Sequence, residues 1–326
     1  MAAPFLSVVV PSYNRLHSLA DTLDGLRAQS LDATLFEVIV IDNGSVDGTY
    51  EAVARRAQEE PFSLRVYRMP GENRGPAPAR NYGVEQAEGE VIAFTDSDCR
   101  PDPRWLEVAR EAFRDETVAF ATGRVEFKPE QMDRMTFFSR RTVTASFEHP
   151  TYPTANAFYR RSVYRAYGGF QERLSFPDVF GQAVEAADTD LAWRIKDDGG
   201  RNVFVSEAVV YHEVQTIPPK QWLLEPVRLF LVPALVKLHP AMRAALLSHG
   251  VFFYRGSPFY YLALAALAAL LMLHPALLLW APPALLAVAA VRERSLAPAR
   301  VLRKSAWMLL NAARIYVMSA ALIYGS

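Results

Sequence analysis

Four short apolar runs, set between helical periods, constrain the first hundred residues more than any other feature. Phe5-Leu-Ser-Val-Val-Val10 is apolar, rich in β-branched residues and stopped by Pro11, the pattern of a strand buried on both faces. Residues 36–41 repeat it and end at Asp42. Residues 64–67 form a third, shorter run, and residues 91–94 a fourth that ends at Thr95-Asp96. Between them, residues 15–30 carry Leu16, Leu19, Leu23 and Leu26 at helical spacing, and residues 49–58 and 77–87 also read as helices. Strands alternating with helices predict a parallel sheet with right-handed crossovers. Ligands of such sheets sit beyond the C-terminal strand ends. Pro11-Ser12, Asp42-Asn43 and Asp96-Ser97-Asp98 all fall at those ends, so three polar clusters should converge on one crevice.

From about Pro103 the pattern is less regular. Residues 105–113 and 188–197 read as helices, and residues 120–127 and 202–211 as strands. A second, mixed half of the same domain, carrying the acceptor side, is expected.

The tail differs in kind. Residues 222–238 mix apolar stretches with Glu225, Arg228 and Lys237 and contain Pro226 and Pro233, which suits a segment lying on a bilayer. Residues 259–291 carry no charge. A helix crossing lipid needs roughly 20 apolar residues, so this run is long for one and short for two. Pro275, Pro282 and Pro283 interrupt it, and a tight helical hairpin or kinked pair is expected. Arg292, Arg294, Arg300, Arg303 and Lys304 follow with one acid, Glu293, which the positive-inside rule assigns to the cytoplasm. Residues 306–324 are again apolar but hold Asn311 and Arg314. The expected organisation is a catalytic domain over residues 1–220, an interfacial segment over 221–256 and membrane-embedded helices over 257–326.

Charge balances, with Lys+Arg 35 against Asp+Glu 35, so the basic excess of a nucleic-acid binder is absent. The single cysteine, Cys99, forms no internal disulfide and fits a reducing compartment. Residues 1–4 carry no basic residue and the following apolar run is short, unlike a secretory signal. The first domain is expected on the cytoplasmic side of the cell membrane.

Asp96-Ser97-Asp98 is the chemical centre. Two carboxylates two residues apart, just past a buried strand, can share one divalent cation such as Mg2+ or Mn2+, although such pairs also occur in solvated turns. Other clusters accompany it. Asp42 at a strand end can accept a hydrogen bond from a base or ribose or cap a helix. Arg80, in Asn73-Arg-Gly-Pro-Ala-Pro-Ala-Arg-Asn81, suits a donor diphosphate.

Together Val8-Val-Val-Pro-Ser-Tyr-Asn-Arg15, Val40-Ile-Asp-Asn-Gly-Ser-Val-Asp-Gly-Thr49, Asn73-Arg-Gly through Ala79-Arg-Asn81 and Thr95-Asp-Ser-Asp98 resemble the family 2 glycosyltransferases. The resemblance spans roughly residues 5–215. It implies the GT-A fold, a Rossmann-like, mostly parallel α/β sheet flanked by helices, here with C-terminal hydrophobic helices. It further implies a nucleotide pocket lined by Pro11, Ser12 and Tyr13, with Asp42 at the base, Asp96 at the ribose or sugar and Asp98 on an Mn2+ or Mg2+ ion. His212 is a further metal ligand by the same likeness. Thr154-Ala-Asn-Ala-Phe-Tyr-Arg-Arg161 and Gly168-Gly-Phe170 resemble the stretch near the acceptor, with Asn156 beside the sugar. Ala187-Asp-Thr-Asp-Leu-Ala-Trp-Arg194 resembles the segment supplying the catalytic base. Asp188 matches that base and Asp190 follows on the acceptor side. The family's usual acidic pair is broken here by Ala187, for which Glu185 is a candidate substitute.

The implied activity is inverting transfer of a sugar from a nucleotide-sugar donor, UDP-sugar favoured, to a membrane-associated or lipid-linked glycan of the cell envelope. Only Gln221-Trp222 remains of the processive synthases' motif, which argues against a polymer synthase. A nucleotidyltransferase would carry a Gly-rich basic loop after the first strand, and Pro11-Ser-Tyr-Asn-Arg15 is not one. A non-catalytic module that binds nucleotide-sugar at the membrane is the remaining alternative, with Ala187 in its favour.

Overall fold

The computed structural model describes residues 3–70, 75–141, 144–178, 180–181, 183–248, 261–262, 265–266, 281–293 and 297–324. It divides into two compact units, Met1–Thr216 and Ile217–Ser326.

The first unit is built on an eight-stranded sheet. In chain order the strands are β1 Leu6–Ser12, β2 Phe36–Asp42, β3 Ser63–Arg68, β4 Val91–Phe94, β5 Cys99–Pro101, β6 Val118–Phe127, β7 Ala157–Arg160 and β10 Arg201–His212; β8 Ser175–Pro177 and β9 Ala183–Glu185 make a separate two-stranded ribbon. The order across the large sheet is β3-β2-β1-β4-β7-β6-β10-β5. Strands β3, β2, β1 and β4 are mutually parallel, as are β6 and β10, whereas β7 runs antiparallel to β4 and β6. Helices α1 Leu16–Arg27, α2 Thr49–Arg56, α3 Pro76–Gln86, α4 Trp105–Ala112, α5 Arg161–Ala166 and α6 Ala187–Asp197 complete the unit.

Every residue of β1 and β2 is buried, which explains why these strands read as continuous apolar runs rather than as alternation. The close approach of α3 to this sheet depends on Gly83: a Cβ there would lie 2.4 Å from Val9 Cγ1. The exceptions to apolarity are paired. Glu37 in β2 accepts from Ser7 Oγ at 2.6 Å and from the Glu88 N–H at 2.8 Å, and it bonds the Arg65 guanidinium. A buried carboxylate is tolerable only with such partners.

Because the strands pair in register, their C-terminal ends align. Ser12 faces Asp42 across the β1–β2 ladder, and β4 ends beside β1 with Val9 opposite Phe94. Pro11-Ser12, Asp42-Asn43 and Thr95-Asp96 therefore emerge on one edge of the sheet.

The second unit contains α7 Pro219–Leu224, a 3-10 turn over Glu225–Leu231, α8 Val232–Leu238, α9 Pro240–Leu246 and helices over Ala281–Glu293 and Pro298–Tyr324. The prolines at 226 and 233 fall at the first turns of their segments, where a missing N–H costs nothing. Most of the uncharged run 259–291, and with it the expected hairpin, lies outside the described residues, as does part of 221–256. The last helix begins at Pro298, earlier than the apolar stretch suggested, and is long and apolar enough to cross a membrane. Arg314 on it is not left alone: it donates to the Trp222 carbonyl at 2.8 Å, pairs with Glu225 at 3.1 Å and lies 4.1 Å above the Trp222 ring.

Candidate functional site

The first wall of the site consists of the loops after β1 and β2. Asn14 takes a left-handed backbone, φ 51°, a conformation Asn tolerates better than most residues. Its N–H donates to Ser45 Oγ and its side-chain oxygen accepts from the Val46 N–H, both at 2.9 Å. The Leu16 N–H donates to Asp47 at 3.1 Å. The two loops are thereby tied into one rim. Within it Asp42 is almost fully buried. Its Oδ1 accepts from the Ser45 N–H at 3.1 Å, while Oδ2 is buried without a partner among the described residues. Ser12 Oγ, beside it in register, is in the same state. A buried acceptor left unmade costs free energy, and an N–H donor of a ligand would relieve it. Pro11 is buried and Tyr13 is exposed.

The second wall is an ion-pair chain. Arg80 on α3 donates from Nη2 to Asp96 at 2.6 Å and from Nη1 to Glu185 at 2.9 Å. The other Glu185 oxygen accepts from the Ala77 N–H at 2.7 Å, capping a helix whose own flanking residue, Gly75, supplies no side chain. An anion is favourable at that end of a helix. Burial alone would make the guanidinium easier to deprotonate, but Asp96 and Glu185 outweigh it and hold Arg80 protonated above the ordinary arginine range. Both terminal nitrogens of Arg80 are thus engaged before any diphosphate arrives. The sequence-based expectation set Arg80 against the phosphates; in this structure it holds Asp96 and Glu185 with one N–H of each terminal nitrogen.

Asp188 opens α6 beside this chain. Its Oδ1 accepts from the Thr189 N–H at 2.8 Å. Burial, and then the charge of Glu185, push its carboxyl up to about 7, against the opposing pull of the Thr189 N–H and Arg80. A carboxylate tuned to this range suits a general base near neutral pH.

Asp98, Cys99 and His212 form the third cluster. One ligand atom from each lies within 4.8 Å of the others. Asp98 Oδ1 is 3.5 Å from His212 Nε2, and its Oδ2 accepts from Gln215 Nε2 at 2.7 Å, with the Arg15 guanidinium at 3.9 Å. His212 Nδ1 lies 2.7 Å from the Glu213 carbonyl. That oxygen only accepts, so Nδ1 is the donor there and Nε2 is the ring nitrogen turned toward Asp98, an orientation that suits a metal-binding histidine. Burial, then Asp98 and Asp96, push the Cys99 thiol well above its ordinary value. The Asp-Ser-Asp carboxylates therefore divide: Asp96 turns to Arg80 and Asp98 to His212. The donor set of Asp98 and His212 fits a divalent cation completed by phosphate and water oxygens.

Two expected acceptor-side residues have other work. Asn156 is fully buried. It accepts from Trp105 Nε1 at 2.9 Å and donates to the carbonyls of Arg124 at 2.7 Å and Ala208 at 2.8 Å. It clamps α4, β6 and β10 together, and its amide is spent inside the core rather than offered to a sugar. A Cβ on Gly123 would lie 2.5 Å from the same amide nitrogen, so that strand passes close by design of the sequence. Asp190 is buried and pairs with Arg194 at 2.8 Å, and Arg194 in turn donates to the Gly169 carbonyl at 2.9 Å. Gly168 and Gly169 have φ of 72° and 66°, a turn that delivers Phe170 to Asn81: the Phe170 N–H donates to Asn81 Oδ1 at 3.0 Å. Sequence reasoning left out Gln215 and the Arg80–Glu185 contact, which only folding brings to the site. Asn73 and Arg74 lie outside the described residues.

Residues 7–168 match the family model of glycosyl transferase family 2. The chain belongs to that family. Glycosyltransferase AglE of Haloferax volcanii is 29% identical over 214 residues, covering 64% of this chain and 67% of that protein. The pre-mycofactocin glycosyltransferase of Mycobacterium tuberculosis is 28% identical over 230 residues, 65% of this chain but only 43% of the relative. Among solved structures, the mannosyltransferase PcManGT from Pyrobaculum calidifontis, in complex with GDP-Man and Mn2+, superposes with a TM-score of 0.65 at 23% identity, over 98% of this chain and 88% of that one. TarS 1-349 of Staphylococcus aureus with UDP-GlcNAc gives 0.53 at 19% identity, over 98% and 90%. Identities this low establish the shared GT-A fold alone. As a family 2 glycosyltransferase, the chain carries its matched region on the eight-stranded unit, up to the Gly168 turn.

Proposed function

We propose that this enzyme transfers a sugar from a nucleoside diphosphate donor, UDP-sugar favoured, to an acceptor hydroxyl with inversion at the anomeric carbon. The observation that carries the reading is Asp188, a half-buried carboxylate brought to about 7 beside the Glu185–Arg80–Asp96 chain. In a single displacement Asp188 takes the acceptor proton as the oxygen attacks. Arg80 holds Asp96 and Glu185, and the charges of Glu185 and Arg80 act on Asp188. Asp42 Oδ2 accepts an N–H of the base, Pro11, Ser12 and Tyr13 border the nucleotide, and Asp96, held by Arg80, meets the ribose or the transferred sugar. Asp98 and His212 would hold Mn2+ or Mg2+, which when bound offsets charge on the departing diphosphate. An imidazole ligand favours Mn2+ over the strictly oxygen-seeking Mg2+. PcManGT with GDP-Man and Mn2+ is a fold precedent for this combination.

The acceptor is proposed to be membrane-associated or lipid-linked, such as an envelope glycan intermediate. The support is the 27-residue helix Pro298–Tyr324, about 40 Å long at the usual rise, with Arg300, Arg303 and Lys304 in its first turns. By the positive-inside rule these charges support a cytoplasmic side for the catalytic unit.

The test is nucleotide release from UDP-, GDP- and dTDP-sugars by the full chain in detergent, with and without Mn2+ or Mg2+, alongside Asp98→Ala. Metal-dependent release from one donor, abolished in the variant, is expected. Release from no donor, even with membrane lipid extract present, would overturn the reading.

A further inference from the structure

We infer that Cys99 is a third protein ligand at the Asp98–His212 centre, giving it an oxygen, nitrogen and sulfur donor set that takes thiophilic divalent cations such as Co2+ and Zn2+. The inference rests on Asp98 and His212 being metal ligands, and its test is arranged to separate the two.

Register supplies the first argument. Cys99 on β5 is the direct antiparallel partner of His212 on β10, and residues directly opposite in such a ladder project from the same face. Asp98 precedes Cys99, so three residue types with ligand atoms meet at one point. Distance supplies the second. Cys99 Sγ is 4.0 Å from Asp98 Oδ1, His212 Nε2 is 3.5 Å from that oxygen, and all three ligand atoms fall within 4.8 Å of one another. A cation bonded at about 2.0–2.3 Å to tetrahedral ligands holds its donors roughly 3.3–3.7 Å apart; Asp98 and His212 already stand at that separation, and the Cys99 sulfur closes toward them on binding.

Orientation supplies the third argument. Gln215 holds Asp98 Oδ2 and the Glu213 carbonyl holds His212 Nδ1. The remaining oxygen and nitrogen are the ones that face each other and the sulfur. Both contacts are of the kind that aim metal ligands from behind. All three side chains are buried, which favours the compact, dehydrated coordination that nitrogen and sulfur donors give. On binding, the S–H bond is replaced by a sulfur–metal bond and the proton passes to solvent. The thiolate and Asp98 then offset the two charges of the cation. Sulfur and imidazole together select borderline and soft cations, whereas Mg2+ gains nothing from either.

The experiment titrates the full chain in detergent with CoCl2, with and without UDP, and follows absorbance. A thiolate-to-Co2+ charge-transfer band in the near ultraviolet is expected at saturation. Cys99 is the only cysteine in the sequence, so the band has one possible source. In Cys99→Ser the band disappears and Co2+ affinity falls at least about tenfold, while Mg2+ affinity is unchanged. Co2+ bound by the wild-type chain without that band, or no Co2+ bound at all, overturns the inference whatever the variant does. Asp98→Ala distinguishes the premise: if it abolishes Co2+ binding while Cys99→Ser binds as the wild type, the Asp98–His212 centre stands and the sulfur ligand falls.

Discussion

Arg80 and Glu185 meet at 2.9 Å across 105 residues of chain. The contact joins α3 to the β8–β9 ribbon, and the same guanidinium reaches Asp96 while the same carboxylate caps Ala77. One chain of charges thus links the donor-side acid to the neighbourhood of Asp188.

The pH dependence of turnover follows from that link. Asp188 acts as a base only when ionised, so kcat should fall as pH drops below about 7. Glu185 is the second cause of that raised value, after burial. Glu185→Gln removes its negative charge and should move the acid limb of the kcat–pH profile to lower pH, with a lower Tm from the broken pair. The stability sign is opposite to that of an ordinary salt-bridged acid. A carboxyl raised on folding stabilises below its unfolded value and loses that contribution as pH rises through about 7. An unmoved acid limb in Glu185→Gln would contradict the coupling.

Asp42 leaves one buried oxygen unpartnered among the described residues. If a nucleotide base satisfies it, Asp42→Ala loses a charge-assisted hydrogen bond worth about 1.5–3 kcal/mol. UDP affinity measured by calorimetry should drop roughly 10- to 100-fold. Unchanged affinity would assign Asp42 to its turn alone.

Asn156→Ala tests the core role. It strands Trp105 Nε1 and the carbonyls of Arg124 and Ala208, each a buried group whose loss of partner costs about 1–3 kcal/mol. A clear fall in Tm is expected, with the KM for acceptor unaltered in whatever fraction remains folded. A changed KM with unchanged Tm would return Asn156 to the acceptor.

The Arg314–Glu225 pair makes an apolar helix compatible with its arginine. Removing Glu225 leaves a charge in an apolar segment, where arginine costs about 2.5–3.5 kcal/mol. Glu225→Leu should lower yield in the membrane fraction, and Glu225→Leu with Arg314→Leu should restore it, since losing both partners costs less than losing one. Equal yields for single and double variants would show that the pair is idle.

Much of this was legible in the sequence. β1, β2 and β4 are buried on both faces, so their apolar runs were unambiguous, and Pro11 and Asp42 fell within the last two residues of β1 and β2. The four-residue β7 escaped because its pairing with β4 and β6 is non-local and its Ala-Phe-Tyr-Arg carries no alternation. The ribbon that lifts Glu185 to Arg80 was invisible for the same reason. Only the family resemblance set Asn156 beside the sugar, and its partners Trp105, Arg124 and Ala208 lie 51, 32 and 52 residues away in the chain. Arg314 read as a flaw in a spanning helix because Glu225 is 89 residues away. Short-range pattern reveals elements and their ends, but partners across the chain need the fold.

The most direct test is nucleotide release by wild type and Asp188→Asn with the cognate donor, with UDP affinity measured on both. The account predicts turnover lowered about 10²- to 10⁴-fold with UDP binding unchanged. Turnover at the wild-type rate in Asp188→Asn would contradict it.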